Sequence, residues 1–343
     1  SSAASDVYKR QTQWKLGRTS MGVEFRNEGV KSNVLGKPMK EPQDVPFEKE
    51  GQYLKSDNRS NISYFLEHNV LLRRFTLSVG VLANYNSALN EGIHFYPGID
   101  ASYRIGDNFR LYGSWNRALR MPTFTDLYYE GKTNKGNPDL KPEESEAFEV
   151  GLKYNTYFLR AHIAGFYRKG KNMIDWVKEK PEDIWESRNL TKVDNLGFET
   201  NLSLLPRELG NERFFIRKIE LGYAFIHQDK DSEGYISNYA LDYLKHKFTA
   251  QLSHSIWKGF SATWYVRWQD RAGSYTKYEN LKPAYEEPYS PYCLVDMKVN
   301  WEYQRLNLYA ELNNLLNSTY YDLGNIPQPG IWFKAGFRYS FKY

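Results

Sequence analysis

The 343-residue sequence is polar, with a mean hydropathy of −0.70, yet 16% of its residues are aromatic and 28 of them are Tyr. No run approaches the ~18 consecutive apolar residues that a membrane-spanning helix needs, so a helical membrane protein is excluded. The 46 basic and 41 acidic residues are mixed along the chain, so nucleic-acid binding is not predicted. The single cysteine, Cys293, excludes an internal disulfide framework.

The first eleven residues, SSAASDVYKRQ, do not continue the pattern that follows them and resemble a sequencing or assembly artefact. No secretory signal peptide is visible, which for an exported protein indicates that the natural start lies further upstream. We therefore predict two regions. Residues 1–11 are expected to be an artefact or disordered, and residues 12–343 are expected to form one folded domain.

Apolar and polar residues alternate with a period of two along almost the whole chain, which predicts about fourteen β-strands. The segment that begins at Phe260 is typical, because Trp264 and Val266 share one face whereas Tyr265 and Arg267 share the other. The predicted strands are 20–32, 59–70, 73–86, 92–106, 108–118, 145–155, 157–168, 187–203, 214–229, 245–257, 259–271, 292–303, 306–315 and 331–342.

The alternation also indicates which face meets lipid. A Lys or Arg at the centre of a bilayer costs roughly 2–4 kcal/mol, so the charged face must line a wet lumen. Several predicted strands exceed the ~9–11 residues that cross a bilayer, whereas soluble sandwiches usually have strands of about five or six. The connections alternate between short and long, with a short exception at 87–91 and a lengthy one at 204–213. This pattern predicts an all-β, antiparallel transmembrane β-barrel that ends on the periplasmic side.

Residues 117–145 contain a motif that resembles the signature of TonB-dependent outer-membrane receptors. Its positions here are Arg120, Pro122, Thr123, Phe124, Asp126, Leu127, Tyr128, Gly136, Asn137, Pro138, Leu140, Pro142, Glu143 and Ser145. A second segment, Asn314-Leu315-Leu316-Asn317 followed by Tyr320-Tyr321, is similar to another stretch of the family. The chain ends in an aromatic residue, Tyr343, where the family more often has Phe.

The first motif is interpreted as structural, since it holds no catalytic set. Asn137-Pro138 and Lys141-Pro142 favour extended or turn geometry in the residue before each proline. Gly136 is expected to supply a positive φ. The segment would then fold a long connection back to start the next strand, at the rim of the barrel.

The resemblance implies a 22-stranded barrel that an N-terminal plug domain fills. This chain would hold the C-terminal ~14 strands and no plug, and it would require no cofactor. The implied partners are outer-membrane lipid, a TonB-type energy-transducing protein that acts through the missing plug, and the barrel-assembly machinery at the C-terminal strand. The implied activity is energy-coupled import of a scarce nutrient, not an enzymatic reaction.

Four segments, 55–68, 95–104, 239–248 and 320–339, resemble the Bacteroidetes receptors described as vitamin B12 receptors, so a corrinoid is the first expectation for the ligand. A ferric siderophore or haem is the alternative. Corrinoids suit aromatic and amide side chains, whereas anionic ferric chelates suit clustered Arg and Lys. The candidate ligand residues are tyrosines in or beside long connections, which could instead anchor the rim at the lipid boundary. They are Tyr128, Tyr129, Tyr275, Tyr278 and Tyr285, with Tyr289 and Tyr292 nearby.

The sequence does not favour a calcium site or a histidine metal site. Asp229, Asp231 and Glu233 resemble the opening of a calcium loop, but the twelfth position is Ala240 where a bidentate Glu is expected, so a solvated turn is the default. The six histidines show no HExxH motif and no paired metal spacing. A passive porin, an outer-membrane hydrolase and an adhesin stay open as less favoured alternatives.

Overall fold

The computed structural model describes residues 2–48, 51–89, 92–210, 213–231, 234–237, 243–280, 282–323 and 326–341. Fifteen long strands, labelled β1 to β15, dominate it. They are Ser2–Trp14, Gly17–Ser32, Gln52–Leu71, Phe75–Asn86, Ile93–Ile105, Phe109–Arg120, Glu143–Asn155, Leu159–Lys178, Trp185–Leu204, Ile216–Asp231, Leu244–Ser255, Phe260–Arg271, Tyr292–Tyr303, Leu306–Asn313 and Trp332–Tyr339. Within the described ranges, no helix has the length and apolarity to cross a membrane.

Each long strand pairs antiparallel with the next one along the chain, from β1 through to β15. Such a meander requires only local turns, and it satisfies the backbone groups between neighbouring strands without water. No pairing joins β1 to β15 among the residues that the structure describes. The fourteen predicted strands are all present as β2 to β15, which confirms the all-β antiparallel fold.

The connections alternate between short and long, as predicted, with the expected exceptions at 87–92 and 205–215. The short turns lie at one end of the sheet, and they are 15–16, 72–74, 106–108, 156–158, 205–215, 256–259 and 304–305. The other end carries the long connections 33–51, 87–92, 121–142, 179–184, 232–243, 272–291 and 314–331. The lengthy exception among the short turns is explained by a 3-10 helix, Pro206–Leu209.

The long connections contain the remaining elements. A five-residue helix, α1, spans Phe124–Tyr128. The short strands are Lys37–Asp44, Asn134–Lys135, Ile236–Ser237, Ser274–Glu279, Lys282–Pro288, Tyr321–Leu323 and Ile326–Pro327. Several of them pair with the protruding ends of β3, β8 and β9, and β3 and β8 extend well past the predicted boundaries.

The N-terminal segment differs from the expectation of disorder. Residues 2–14 form β1 and pair with β2 in register, from Ser2 with Gly29 to Trp14 with Gly17. The physical reason is that an exposed strand edge presents a row of backbone donors and acceptors, and pairing with it requires no particular side chains. That these residues originate from an artefact stays a prediction.

Side-chain direction follows the predicted register. The polar residues of β12, among them Ser261 and Thr263, line the same cavity of about 1000 Å³ as Lys298 of β13, Glu311 of β14 and Arg338 of β15. Apolar residues on the opposite face stay exposed, with 61% of Phe333 and 74% of Phe337 accessible. Such exposure is unfavourable in water and is satisfied in lipid.

Buried apolar residues are few in the described part of the chain, and their one cluster does not lie in the wall. Val177, Leu190 and Val193 pack together in the protruding ends of β8 and β9, with Met173 and Tyr235 against them. This small core supports the structure at the long-connection end. The wall between the two ends is held by strand pairing and by its surroundings, not by an interior core.

Candidate functional site

The predicted motif folds into a compact strap at the long-connection end. Thr123 caps helix α1 by a reciprocal capping box, in which its hydroxyl accepts the Asp126 N–H while the Asp126 carboxylate accepts the Thr123 N–H. The residue types are thus explained by a local requirement, because the first turn of a helix has backbone donors without intrahelical partners. Residues 120–143 are called the signature strap below.

One side of the signature strap is anchored to β3. The Arg59 guanidinium is buried, donates to the Pro122 carbonyl at 2.6 Å, and lies 5.0 Å from the centre of the Phe124 ring. The same guanidinium pairs with Glu28 at 2.6 Å. The Tyr128 hydroxyl donates to Asp57 at 2.6 Å. Burial, and then this hydrogen bond, raise the pKa of Tyr128 above its usual value of 10.

The other side of the strap is anchored to β7, β8 and β9. Arg120 binds both oxygens of Glu143, and Glu143 also accepts the Ile174 N–H at 2.7 Å. Ser187 donates its hydroxyl to the carbonyl of Asp126 at 2.5 Å. The strap therefore bridges β3 to β7, β8 and β9 at the inner rim, and that the motif has a purely structural role stays a prediction.

Glycine is required at position 136 because two segments of the strap approach each other closely there, not because its φ is positive. It is absent from the described residues with positive φ, which corrects the expectation from the sequence. A Cβ at this position would lie 2.9 Å from the Asp126 carbonyl oxygen and 2.9 Å from the Tyr128 nitrogen. Its N–H donates to the Tyr129 carbonyl at 2.6 Å, so the two legs of the strap touch here. Leu140, further along the strap, is buried.

A cluster of tyrosine rings occupies another part of the same end. Tyr275 lies 5.2 Å from Tyr289 and 5.4 Å from Tyr321, measured between ring centroids. Tyr292 and Tyr320 form a neighbouring pair at 4.6 Å. These five residues, the tyrosine cluster, join the 272–291 connection to the 314–331 connection. Burial, and then nearby Glu287, raise the pKa of Tyr275.

Polar groups surround the tyrosine cluster. The Tyr292 hydroxyl lies 2.5 Å from the Gln269 side-chain carbonyl and 2.6 Å from the Asp322 carboxylate. The Arg271 guanidinium lies 5.1 Å from the centre of the Tyr289 ring and donates to the Asp322 carbonyl. The cluster therefore offers ring faces together with an amide, a carboxylate and phenol hydroxyls.

The five predicted ligand tyrosines fall into separate environments. Tyr275 belongs to the tyrosine cluster, and Tyr278 and Tyr285 are exposed on the same hairpin. Tyr128 is held by Asp57, while Tyr129 packs edge-on against Trp176 at 6.5 Å between centroids. The sequence pattern did not single out Arg271, and Tyr321 was noted only as part of the Tyr320-Tyr321 motif.

The calcium candidate does not form a loop in the described part of the chain. Asp229 lies in β10, paired opposite Asp194, and its carboxylate accepts a hydrogen bond from Lys192 at 2.7 Å. Asp231 is the last residue of that strand, and Glu233 lies outside the described residues. Within the described ranges, no group of three or more His, Cys, Asp or Glu side chains is arranged to hold a metal.

Comparison with known proteins identifies the class. A family model described as "TonB dependent receptor-like, beta-barrel" matches residues 2–315. The chain therefore belongs to this family of outer-membrane receptors, which are transporters and not enzymes.

Individual relatives differ in what their names say they transport. The chain is 26% identical over 225 residues to a vitamin B12 transporter of Vibrio vulnificus, covering 49% of this chain and 36% of that protein. It is 23% identical over 297 residues to the ferrienterobactin receptor of Escherichia coli, covering 78% of this chain and 38% of that protein. The chain thus spans little more than a third of these relatives' length.

The fold has clear counterparts among solved structures. The ferric enterobactin receptor PfeA of Pseudomonas aeruginosa superposes with a TM-score of 0.73 at 18% identity, covering 99% of this chain and 54% of that one. The siderophore receptor PirA of Acinetobacter baumannii gives a TM-score of 0.71 at 17% identity. At these identities the likeness shows the fold alone.

Proposed function

We propose that this chain is the wall of a TonB-dependent receptor that imports a corrinoid. The observation that carries the proposal is the charge of the long connections, which face the outside of the cell. They hold nine Lys and Arg against seventeen Asp and Glu, a formal charge of −8. Such a surface repels a multiply anionic ferric chelate, because like charges at an entrance lower the local concentration of the ligand.

The tyrosine cluster supports the same ligand class. A corrinoid is a large ring system with an apolar face and amide side arms. Flat tyrosine rings bury apolar area with few rotatable bonds, and their hydroxyls bind amide groups. Tyr278 and Tyr285 stand exposed beside the cluster and extend this surface. Arg271 and Arg188 each lie over a tyrosine ring, so these two cations are already partnered.

Import by this receptor would be coupled to energy from a TonB-type protein, as expected for a member of the family. A TonB-type protein would act on a plug domain in the lumen, and the ligand would pass between plug and wall. The two-sided signature strap supports this arrangement, since it fixes the inner rim without crossing to β12–β15 in the described contacts. Family members carry both corrinoids and ferric chelates, so a ferric chelate is the competing cargo.

Ligand titration tests the proposal. The receptor, expressed at its full encoded length, is titrated with cyanocobalamin and separately with a panel of ferric siderophores. We expect tight binding of cyanocobalamin alone, and a rise in Kd of about tenfold or more for Tyr321→Ala, which removes a stacked ring of the cluster. Tyr157→Ala is the matched control, because this exposed tyrosine lies on a short turn at the opposite end.

Two outcomes would contradict it. Binding of a ferric chelate instead of cyanocobalamin would overturn the corrinoid assignment and leave the family unchanged. Equal loss of affinity in Tyr321→Ala and Tyr157→Ala would show that the tyrosine cluster has no particular part in binding.

A further inference from the structure

The short turns carry the opposite charge to the long connections. The seven short turns, called the short-turn rim below, hold seven Lys and Arg against three Asp and Glu, a formal charge of +4. The chain as a whole carries only +5, and the long connections carry −8. The fold therefore sorts charges that are mixed along the sequence into two ends of opposite sign.

The short-turn rim is also apolar where turns are ordinarily polar. Tight turns favour Gly, Pro, Asn, Asp and Ser. Here the exposed fraction is 68% for Leu16, 70% for Tyr157 and 65% for Trp257. Leu72 and Phe215 are more than half exposed on two further turns. Large apolar side chains thus project from five of the seven turns, the exceptions being 106–108 and 304–305.

The cations of the rim stand beside these apolar side chains. Lys15, Arg73 and Arg74 are exposed, and no ion pair or side-chain hydrogen bond is recorded for them within the described residues. Lys258 lies over the neighbouring Trp257 ring at 4.8 Å. Arg207 differs, because it donates to the Phe214 carbonyl at 2.8 Å and holds the longest turn together.

We propose that the short-turn rim binds anionic phospholipid headgroups of the periplasmic leaflet. Its aromatic and aliphatic side chains would enter the boundary of the acyl chains, and Lys15, Arg73 and Arg74 would contact lipid phosphates. An anionic membrane surface attracts nearby Lys and Arg, each with about 1 kcal/mol of interaction energy. Aromatic girdles are general in outer-membrane barrels. Beyond such a girdle, the basic turns of this chain would bind anionic lipid selectively.

Lipid, and not an acidic protein, is the proposed partner because of how the apolar side chains are distributed around the short-turn rim. The apolar residues continue the lipid-facing side of the wall, since Phe109 and Phe260 begin strands directly after two of the turns. A protein partner would cover one sector of the rim, whereas lipid surrounds all of it. The inference depends on the outer-membrane location and not on which ligand is transported.

Lipid retention is the test. The full-length receptor is reconstituted in nanodiscs of phosphatidylcholine with a fifth of phosphatidylglycerol, and the lipids that remain bound after mild extraction are counted by native mass spectrometry. The rim variant is Lys15→Gln/Arg73→Gln/Arg74→Gln. The matched control, Lys40→Gln/Lys132→Gln/Lys180→Gln, removes three exposed cations from the long connections.

The wild type and the control are expected to retain phosphatidylglycerol in preference to phosphatidylcholine. The rim variant is expected to lose about fivefold in that preference for each cation removed, which is the interaction energy above expressed as a ratio. Unchanged thermal unfolding of the variant in pure phosphatidylcholine shows that it has folded. Equal retention by the rim variant and the wild type would overturn the proposal, as would an absence of preference in the wild type.

Discussion

Arg120, the last residue of β6, and Glu143, the first residue of β7, are joined by two parallel hydrogen bonds of 2.6 and 2.5 Å. The pair closes the signature strap at its base, because the chain leaves the wall at one partner and returns at the other. The Glu143 carboxylate is buried and also accepts the Ile174 N–H. A single side chain thus connects three strands at the rim.

Replacing Glu143 with Ala is expected to loosen the signature strap. The change leaves the Ile174 N–H without its partner and releases Arg120, at a cost of about 2 kcal/mol, since the Arg120 side chain is half exposed. Limited proteolysis should then cut residues 121–142 faster than in the wild type. Glu144→Ala is the control, because its 3.6 Å pair with Arg117 is exposed and contributes little. Equal cleavage of the two variants would contradict the assigned role.

Docking of helix α1 on β3 is expected to weaken at alkaline pH. The folded state raises the pKa of Tyr128, so it holds the hydroxyl proton more tightly than the unfolded chain does. The contribution to stability is therefore fully present below the unfolded pKa of about 10 and is lost as pH rises through the folded pKa. Proteolysis of the strap across this range measures the effect. Tyr128→Phe should lose the hydrogen bond to Asp57, and its proteolysis rate should change less with alkaline pH than that of the wild type. Identical pH profiles of the two proteins would contradict the role of the Tyr128 hydroxyl.

The lipid and lumen faces of β12 can be separated by labelling. In a Cys293→Ser background, a fluorophore on Trp264→Cys should be quenched by a lipid-soluble quencher, because this residue belongs to the apolar face. A fluorophore on Tyr265→Cys should not, because Tyr265 lines an inner cavity with Arg267 and Asp296. Quenching at position 265 and not at 264 would show that the register is inverted.

A charge placed on the lipid face is expected to be costly. Val266→Arg puts a guanidinium between Ala250 and Val295 of the neighbouring strands, near the middle of the wall. The expected loss of folding free energy is roughly 2–4 kcal/mol. Urea unfolding in lipid vesicles measures it. Thr263→Arg on the inner face is the control and should cost much less, so a similar loss at both positions would argue against a bilayer around this face.

Strand content was predictable because a strand in lipid must satisfy two requirements at once. Successive residues of β12 to β15 face the charged lumen and the apolar exterior in turn. The period-two signal therefore persists over the whole membrane-crossing part of each strand. The last ten residues of β8 were not predicted as strand, since beyond the membrane Val177 packs in a local core with Leu190 and Val193 of β9. There the alternation no longer reports which side faces water.

The candidate site was predictable only in part. The signature residues were found through their resemblance to a family motif, and the two prolines predicted its turns, whereas the capped helix was not predicted. Their partners Arg59, Asp57 and Ser187 could not be found, because each comes from a strand distant in sequence and carries no local signal. The contact between Tyr321 and Tyr275 could not be predicted either, because it forms only where two connections distant in sequence lie side by side.

The sequence by itself determined the strands, their faces and the alternation of short and long connections. Each of these depends on residues close together along the chain and on the contrast between lipid and water. Only the tertiary structure decided how charge is distributed, because Lys and Glu that are mixed in sequence reach opposite ends once successive strands reverse direction. It likewise decided what the signature strap holds, since its anchors on β3 and β9 become neighbours of the strap only when the sheet curves around it.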